Sequence, residues 1–184
     1  MRVVIQRVSS ASVSINNAVF STIENGLLIL LGIEIDDSLA DAERLVKKIV
    51  KLRIFSDENG QMNLSNTDIH GNYMVISQFT LHAETKKGNR PSYIKAARPE
   101  QAIPLYEKFI ELLKLESGKE IMTGEFGADM QVSLVNDGPV TIIIDSKTSD
   151  KPAQSVAEGW QVQSDKCIFT CHFALVTCYL VQLL

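Results

Sequence analysis

The stretch Tyr73-Met74-Val75-Ile76-Ser77-Gln78-Phe79-Thr80-Leu81 decides how the rest of the chain is read. Its first four residues are apolar and partly β-branched, the composition of a buried strand. Ser77, Gln78 and Thr80 then bring polar groups where burial should still be high. If the strand continues, alternation puts Gln78 and Thr80 on the face of Met74 and Ile76, and Ser77 and Phe79 on the face of Tyr73 and Val75. A polar pair on an apolar face needs partners or a ligand. The segment 82–92 that follows is polar and basic, with Lys86, Lys87 and Arg90. A strand carrying hydroxyl and amide groups thus runs into a cationic loop, although a solvated strand end and an ordinary surface loop have the same pattern.

Upstream, residues 1–8 read as a strand. Residues 12–15 and 18–23 read as a hairpin about Asn16-Asn17, since asparagine tolerates positive φ in such turns. Residues 27–33 are almost wholly apolar, so they form a central strand covered on both faces. Asp36-Asp37-Ser38 caps a helix whose apolar face is Leu39, Ala42, Leu45, Val46, Ile49 and Leu52. Asp57-Glu58-Asn59-Gly60 is a turn, and residues 61–71 are polar without clear period. Downstream, Pro99 opens a second helix, whose apolar face runs from Ala102 to Leu113 and whose stop is Gly118. Residues 122–128 read as loop.

The other informative stretch is Asn136-Asp137-Gly138-Pro139-Val140-Thr141-Ile142, flanked by the strand-like runs 129–135 and 140–145. Asp-Gly predicts a closing hairpin, and Pro139 stiffens its tip and removes a ladder donor. A stiff corner of this kind also offers carbonyl groups to a ligand. The element order predicts an α+β (mixed α/β) fold: a largely antiparallel, barrel-like sheet with two main helices on one side.

Length and composition narrow the function. The chain has 184 residues, enough for one domain with a substantial core and a tail. Its net charge of −4 argues against a broad electrostatic nucleic-acid binder, but not against an enzyme that grips the end of an RNA through a local basic loop. Residues 1–146 hold no cysteine; Cys167, Cys171 and Cys178 all lie in the tail. His70, His82 and His172 lack ligand spacing, so no metal site is expected. The N-terminus does not resemble a signal peptide, and a cytoplasmic protein is the simplest reading. The tail 147–184 divides into a polar linker, 147–165, and an uncharged apolar end, 167–184, at the lower length limit for a membrane span.

Ser77-Gln78-Phe79-Thr80-Leu81 and Gly138-Pro139-Val140-Thr141, in this order, resemble the D-aminoacyl-tRNA deacylases. The start Met1-Arg2-Val3-Val4-Ile5-Gln6-Arg7-Val8 and Gly88-Asn89-Arg90-Pro91-Ser92-Tyr93 extend the resemblance over nearly all of residues 1–146. It implies hydrolysis of the ester joining a D-amino acid, and also mischarged glycine, to the terminal adenosine of tRNA, without a cofactor. It implies a catalytic segment of Gln78, Phe79 and Thr80. Ser77 and Gln78 would bind the terminal nucleotide, and Phe79 would stack on its base or pack in the core. It further implies a Gly138-cisPro139 element that enters the partner's site in a homodimer and excludes L-amino acids, with Arg7 and Met130 steadying or bordering it. Lys86, Lys87 and Arg90 would meet phosphates.

Thr80 has two readings. As a nucleophile it needs a base, and His82 lies beyond Leu81 in an expected loop. Without a base, Thr80 orients water or substrate while the N–H groups of residues 78–80 bind the oxyanion. The competing functions are a threonine-dependent small-molecule esterase or amidase, and a non-catalytic RNA-binding module.

Overall fold

The computed structural model describes residues 1–86 and 88–147, all within a compact unit that runs Met1–Asp150. Lys87, the linker beyond Lys147 and the uncharged end with its three cysteines lie outside the described residues. The fold is α+β. A mixed six-stranded sheet has the order β2-β1-β3-β6-β7, with β8 on β1, and β4 and β5 form a separate pair.

β1 (Arg2–Ile15) is the spine of the sheet. Its first half pairs antiparallel with β3 (Gly26–Gly32) and its second half with β2 (Ala18–Ile23), while β8 (Met130–Asp145) runs antiparallel along its whole length. Asn16 and Asn17 make the β1–β2 turn at φ 52° and 63°, as expected of asparagine. β6 (Asn72–Ser77) lies parallel to β3, and β7 (Ile121–Thr123) parallel to β6. The sheet curls until β2 approaches β7, where the Ser21 hydroxyl donates to the Thr123 carbonyl at 2.6 Å.

Alternation sorts the apolar residues into two cores. Val3, Ile5, Leu27, Ile29, Leu31, Tyr73 and Val75 face the helices. Val8, Val13, Leu28, Met74 and Ile76 fill the inside of the curl. α1 (Leu39–Val50) buries Ala42, Leu45, Val46 and Ile49, and Ser38 stands at its N-cap, its N–H and hydroxyl both donating to the Asp41 carboxylate at 2.9 Å. α2 (Pro99–Ser117) begins at proline, ends at Gly118, and buries Ala102, Tyr106, Phe109 and Leu113. The Tyr106 hydroxyl donates to the Val75 carbonyl at 2.8 Å, fastening α2 to β6; burial pushes this phenol well above its usual range.

Three expectations are corrected. The strand beginning at Tyr73 does not run to Leu81: β6 ends at Ser77, and Phe79–His82 forms a 3-10 turn. This turn packs on Gly32, where a Cβ would lie 2.9 Å from the Leu81 Cβ and 3.1 Å from the Gln78 carbonyl oxygen. Gln78 and Thr80 therefore leave the face of Met74 and Ile76. Second, Met130–Asp145 is no hairpin but one strand, because both halves pair with the same long partner. Between the Gln6–Thr141 and Val8–Asn136 pairs, β1 uses one residue, Arg7, while β8 uses residues 137–140, which bulge outward. Third, the polar run 61–71 and the expected loop 122–128 contain strand: β5 (Met62–Ser65), paired with β4 (Arg53–Ser56), and most of β7.

Candidate active site at the end of β6

The parallel pairing of β3 and β6 brings Leu31 opposite Ser77 at the carboxyl ends of both strands. An apolar cleft of about 280 Å³ opens there. Ser77, Gln78 and Phe79 form one side; Ala97 and Ala102 of the α2 region form another; Phe126, Asp129 and Met130 close it. Edge-on packing of Phe126 against Tyr106, at 5.7 Å between ring centres, ties the wall to α2.

The 3-10 turn and its N-cap Gln78 add main-chain and side-chain polar groups to those of Ser77 and Asp129 at this cleft. The Gln78 N–H donates to the Leu31 carbonyl at 2.8 Å and is not available to substrate, which corrects its expected place among the oxyanion donors. The N–H groups of Phe79 and Thr80 come next. They stand at the start of the turn, before any carbonyl of the turn can accept them, and among the described residues no other bond engages them. The Gln78 side-chain amide donates to the Thr80 hydroxyl. That hydroxyl thus has an occupied lone pair and a proton left to give. Thr80 is half-buried beside the cleft rather than in its lining.

His82 provides no base for Thr80. It lines a different groove, with Arg2, Lys86 and Lys95, and its ring packs against Gly32. Phe79 is 57% exposed, so its core-packing alternative is overturned; its ring meets Tyr93 edge-on at 5.1 Å. Lys86 and Arg90 are exposed in the loop beyond the turn. Asp129 escaped the sequence reading. It is an exposed carboxylate in the cleft lining, at the last loop position before β8, and only its place immediately before Met130 hinted at it.

The second motif lies elsewhere in the chain. Asp137, Gly138 and Pro139 are exposed, with a cis bond between Gly138 and Pro139. Arg7, 9% exposed, holds the bulge from beneath. Its Nε donates to the Asp137 carbonyl at 3.0 Å, its Nη1 to the Ile54 carbonyl at 2.6 Å, and its guanidinium lies over the Phe55 ring. The Asn136 side chain spans the bulge, accepting from the Val140 N–H at 2.9 Å and donating to the Thr141 hydroxyl at 3.0 Å. Gly138 has φ 123°, and a Cβ there would lie 2.7 Å from Arg7 Nη2. Neither Gly138 nor Pro139 lines the cleft, while Met130, on the same strand, does.

Comparison with known proteins places this geometry. A curated D-aminoacyl-tRNA deacylase of Bacteroides fragilis is 64% identical over 150 residues, 82% of this chain and all of that protein. The corresponding protein of Flavobacterium psychrophilum is 61% identical over the same share of each chain. The solved structure of a c-Myc DNA Unwinding Element Binding Protein superposes with a TM-score of 0.75 at 41% identity, covering 79% of this chain and 98% of that one. A probable eukaryotic D-amino acid tRNA deacylase shares the fold, with a TM-score of 0.69 at 14% identity, over 78% of this chain and 98% of that one. The profile of the D-Tyr-tRNA(Tyr) deacylases matches residues 4–145, and the chain belongs to that family.

Proposed function

We propose that this protein hydrolyses the ester bond of D-aminoacyl-tRNA, and of mischarged glycyl-tRNA, releasing the free amino acid and tRNA. The observation that carries the reading is the pair of unengaged N–H groups, Phe79 and Thr80, at the mouth of an apolar cleft in a chain of this family. An aminoacyl ester is already activated, so two fixed donors aimed at the developing oxyanion supply the main term of catalysis; one such donor is worth roughly 3–4 kcal/mol in other enzymes. The Thr80 hydroxyl, held by Gln78, orients the water or the 2′-hydroxyl of the substrate. Ser77 borders the terminal nucleotide, and the exposed Phe79 ring stacks on its base.

Selection by hand needs groups that read the amino group, α-hydrogen and ester common to all substrates. Backbone carbonyls at the Gly138-Pro139 corner, fixed by Arg7 and Asn136, suit this task. The corner lies outside its own chain's cleft, which supports delivery by the partner in a homodimer. So does β8, whose outer edge has no strand partner among the described residues and carries exposed Leu134, Val135 and Ile143. The setting is the cytoplasm, where charged tRNA is used.

A threonine-dependent esterase for small molecules would need a base at Thr80, and the histidine nearest in sequence faces another groove. Release of D-amino acid from charged tRNA, with the L-form as control, tests the proposal. No release of the D-form refutes it. Sedimentation of a fully active monomer refutes the shared site alone.

A further inference from the structure

We infer that a basic track running from the 3-10 turn along α1 holds the phosphate backbone of the RNA as it leaves the cleft; this rests on the deacylase reading above. Two grooves make the track. One, of about 500 Å³, lies between α1 and the end of β8 and is lined by Arg44, Lys47, Lys51 and Arg53. All four are exposed. Arg44 donates to the Ser146 carbonyl at 2.7 Å, a neutral acceptor, and Arg53 to the Asn63 carbonyl at 2.6 Å, with the Asp57 and Asp68 carboxylates near enough to offset part of its charge. The carboxylate in this lining, Asp145, is already matched by Arg2, whose Nη2 lies 2.9 Å from it.

Arg2 joins this groove to the second, of about 250 Å³, where it stands with His82, Lys86 and Lys95. Arg2 Nη1 also donates to the carbonyl of Leu81, the residue after Thr80, at 2.7 Å. Of the two carboxylates in the lining of the second groove, Glu34 is paired with Lys147 at 3.0 Å and Glu84 is exposed, against the three cations Arg2, Lys86 and Lys95. His82 is 6% exposed, and its Nε2 has no hydrogen-bond partner although buried, a polar atom awaiting a ligand or water.

Lysines in the last turn of a helix ordinarily complement its dipole, and Lys47 and Lys51 fit that account. Arg44, a turn earlier, and Arg53, beyond the helix, do not, yet they share the same groove. From Arg44 to Lys51 is about 10 Å of helix at ~1.5 Å per residue. A polyanion with a charge every ~3.4 Å of rise along a strand matches that length better than any single anion. In a chain of net charge −4, this concentration of cations supplies the local attraction that an RNA substrate needs.

The test uses the full chain with Lys47→Glu and Lys51→Glu combined. Activity is measured on D-aminoacyl-tRNA at several salt concentrations and on a D-aminoacyl adenosine ester that lacks phosphate. Binding of uncharged tRNA is measured in parallel. The expected result is a KM for the tRNA substrate raised on the order of tenfold at low salt and a salt dependence shallower by about 1.5 in log–log slope, at ~0.7–0.9 per lost contact. Hydrolysis of the adenosine ester is unchanged. An unaltered KM and slope, or an equal loss on both substrates, overturns the track. So does loss of binding to phosphatidylserine vesicles with tRNA binding intact. A wild-type protein inactive on both esters would instead sink the deacylase reading, and tRNA binding then judges the track by itself. Both lysines are exposed, and a melting curve confirms that the variant is folded.

Discussion

Arg7 and Asp137 meet twice: Arg7 Nε donates to the main-chain carbonyl of Asp137 at 3.0 Å and lies 3.1 Å from an oxygen of its carboxylate. Arg7 is the one residue of β1 opposite the outward bulge of β8, so its guanidinium fills the space that the missing ladder bonds leave. The carboxylate of Asp137 is half-exposed, and the ionic part of the contact is weak. The weight falls on the bonds to carbonyls. They connect β1, β4 and β8 through one buried side chain.

Gly138→Ala therefore does more than add a methyl group. The new Cβ meets Arg7 Nη2 at 2.7 Å and Val140 Cγ2 at 2.8 Å, at a φ that L-residues rarely adopt. Urea unfolding should show a loss of about 1–3 kcal/mol. Discrimination between D- and L-aminoacyl-tRNA should fall by at least tenfold. A variant with unchanged stability and selectivity would show that the corner is neither tightly held nor involved in recognition.

Thr80→Ala should keep measurable deacylation, reduced by about 10- to 100-fold, because the oxyanion donors are main-chain groups that the substitution leaves in place. Mass spectrometry of the wild-type protein quenched during turnover should show no D-aminoacyl adduct on Thr80. Trapping of that adduct would restore Thr80 as nucleophile.

Asp41 gives the fold an acid-sensitive point. Burial opposes its ionisation, but bonds from the Ser38 N–H, the Ser146 hydroxyl and the Ser38 hydroxyl outweigh it and hold the carboxyl at about 2, below its ordinary 3.8. Its folded pKa is depressed, so its contribution is complete above pH 3.8 and fades as the pH falls from there through 2. Asp41→Asn should lower the melting temperature at pH 6, and the gap to wild type should narrow between pH 4 and 2. A gap independent of pH would show that the charge contributes nothing.

Much of this was legible in the sequence because its causes are local. Asn16-Asn17 marks its own turn, Ser38 and Pro99 mark helix starts, and the unbroken apolar run of β3 marks a strand buried on both faces. The misreadings have distant causes. Ser77 ends its strand because the following turn fits against Gly32 of β3, forty-five positions earlier by numbering (77 − 32). Asp137-Gly138 looks like a hairpin tip, but β1 is long enough to pair on both sides of it. β7 is short and gains its place from distant partners, by pairing with β6 and through the bond from Ser21 of β2. The two motifs were recognisable as a pair, and the resemblance already implied that Gly138 serves a partner's site; that Asp129 joins Met130 in the lining of the cleft was not legible.

We propose that the tail is dispensable for catalysis, with a qualification from the structure. Lys147 lies 3.0 Å from Glu34 and 3.4 Å from Asp37, and its hydrogen bond holds the Glu34 carboxyl below its usual range. Truncation after Ser146 removes these pairs, whereas truncation after Asp150 keeps them. Both forms should retain kcat/KM on D-aminoacyl-tRNA within a few-fold, and the longer should melt at the higher temperature. A folded, dimeric but inactive truncation would show that the tail completes the site.

The central claim is that main-chain groups of the turn after β6 and of the β8 bulge hydrolyse D-aminoacyl esters on tRNA and reject the L-form. The most direct measurement follows one tRNA charged in turn with D- and L-tyrosine under single-turnover conditions, recording the rate of amino acid release. The account predicts rapid release of D-tyrosine and release of L-tyrosine no faster than in buffer alone. Equal rates for the two, or no release of the D-form above the uncatalysed rate, would contradict it.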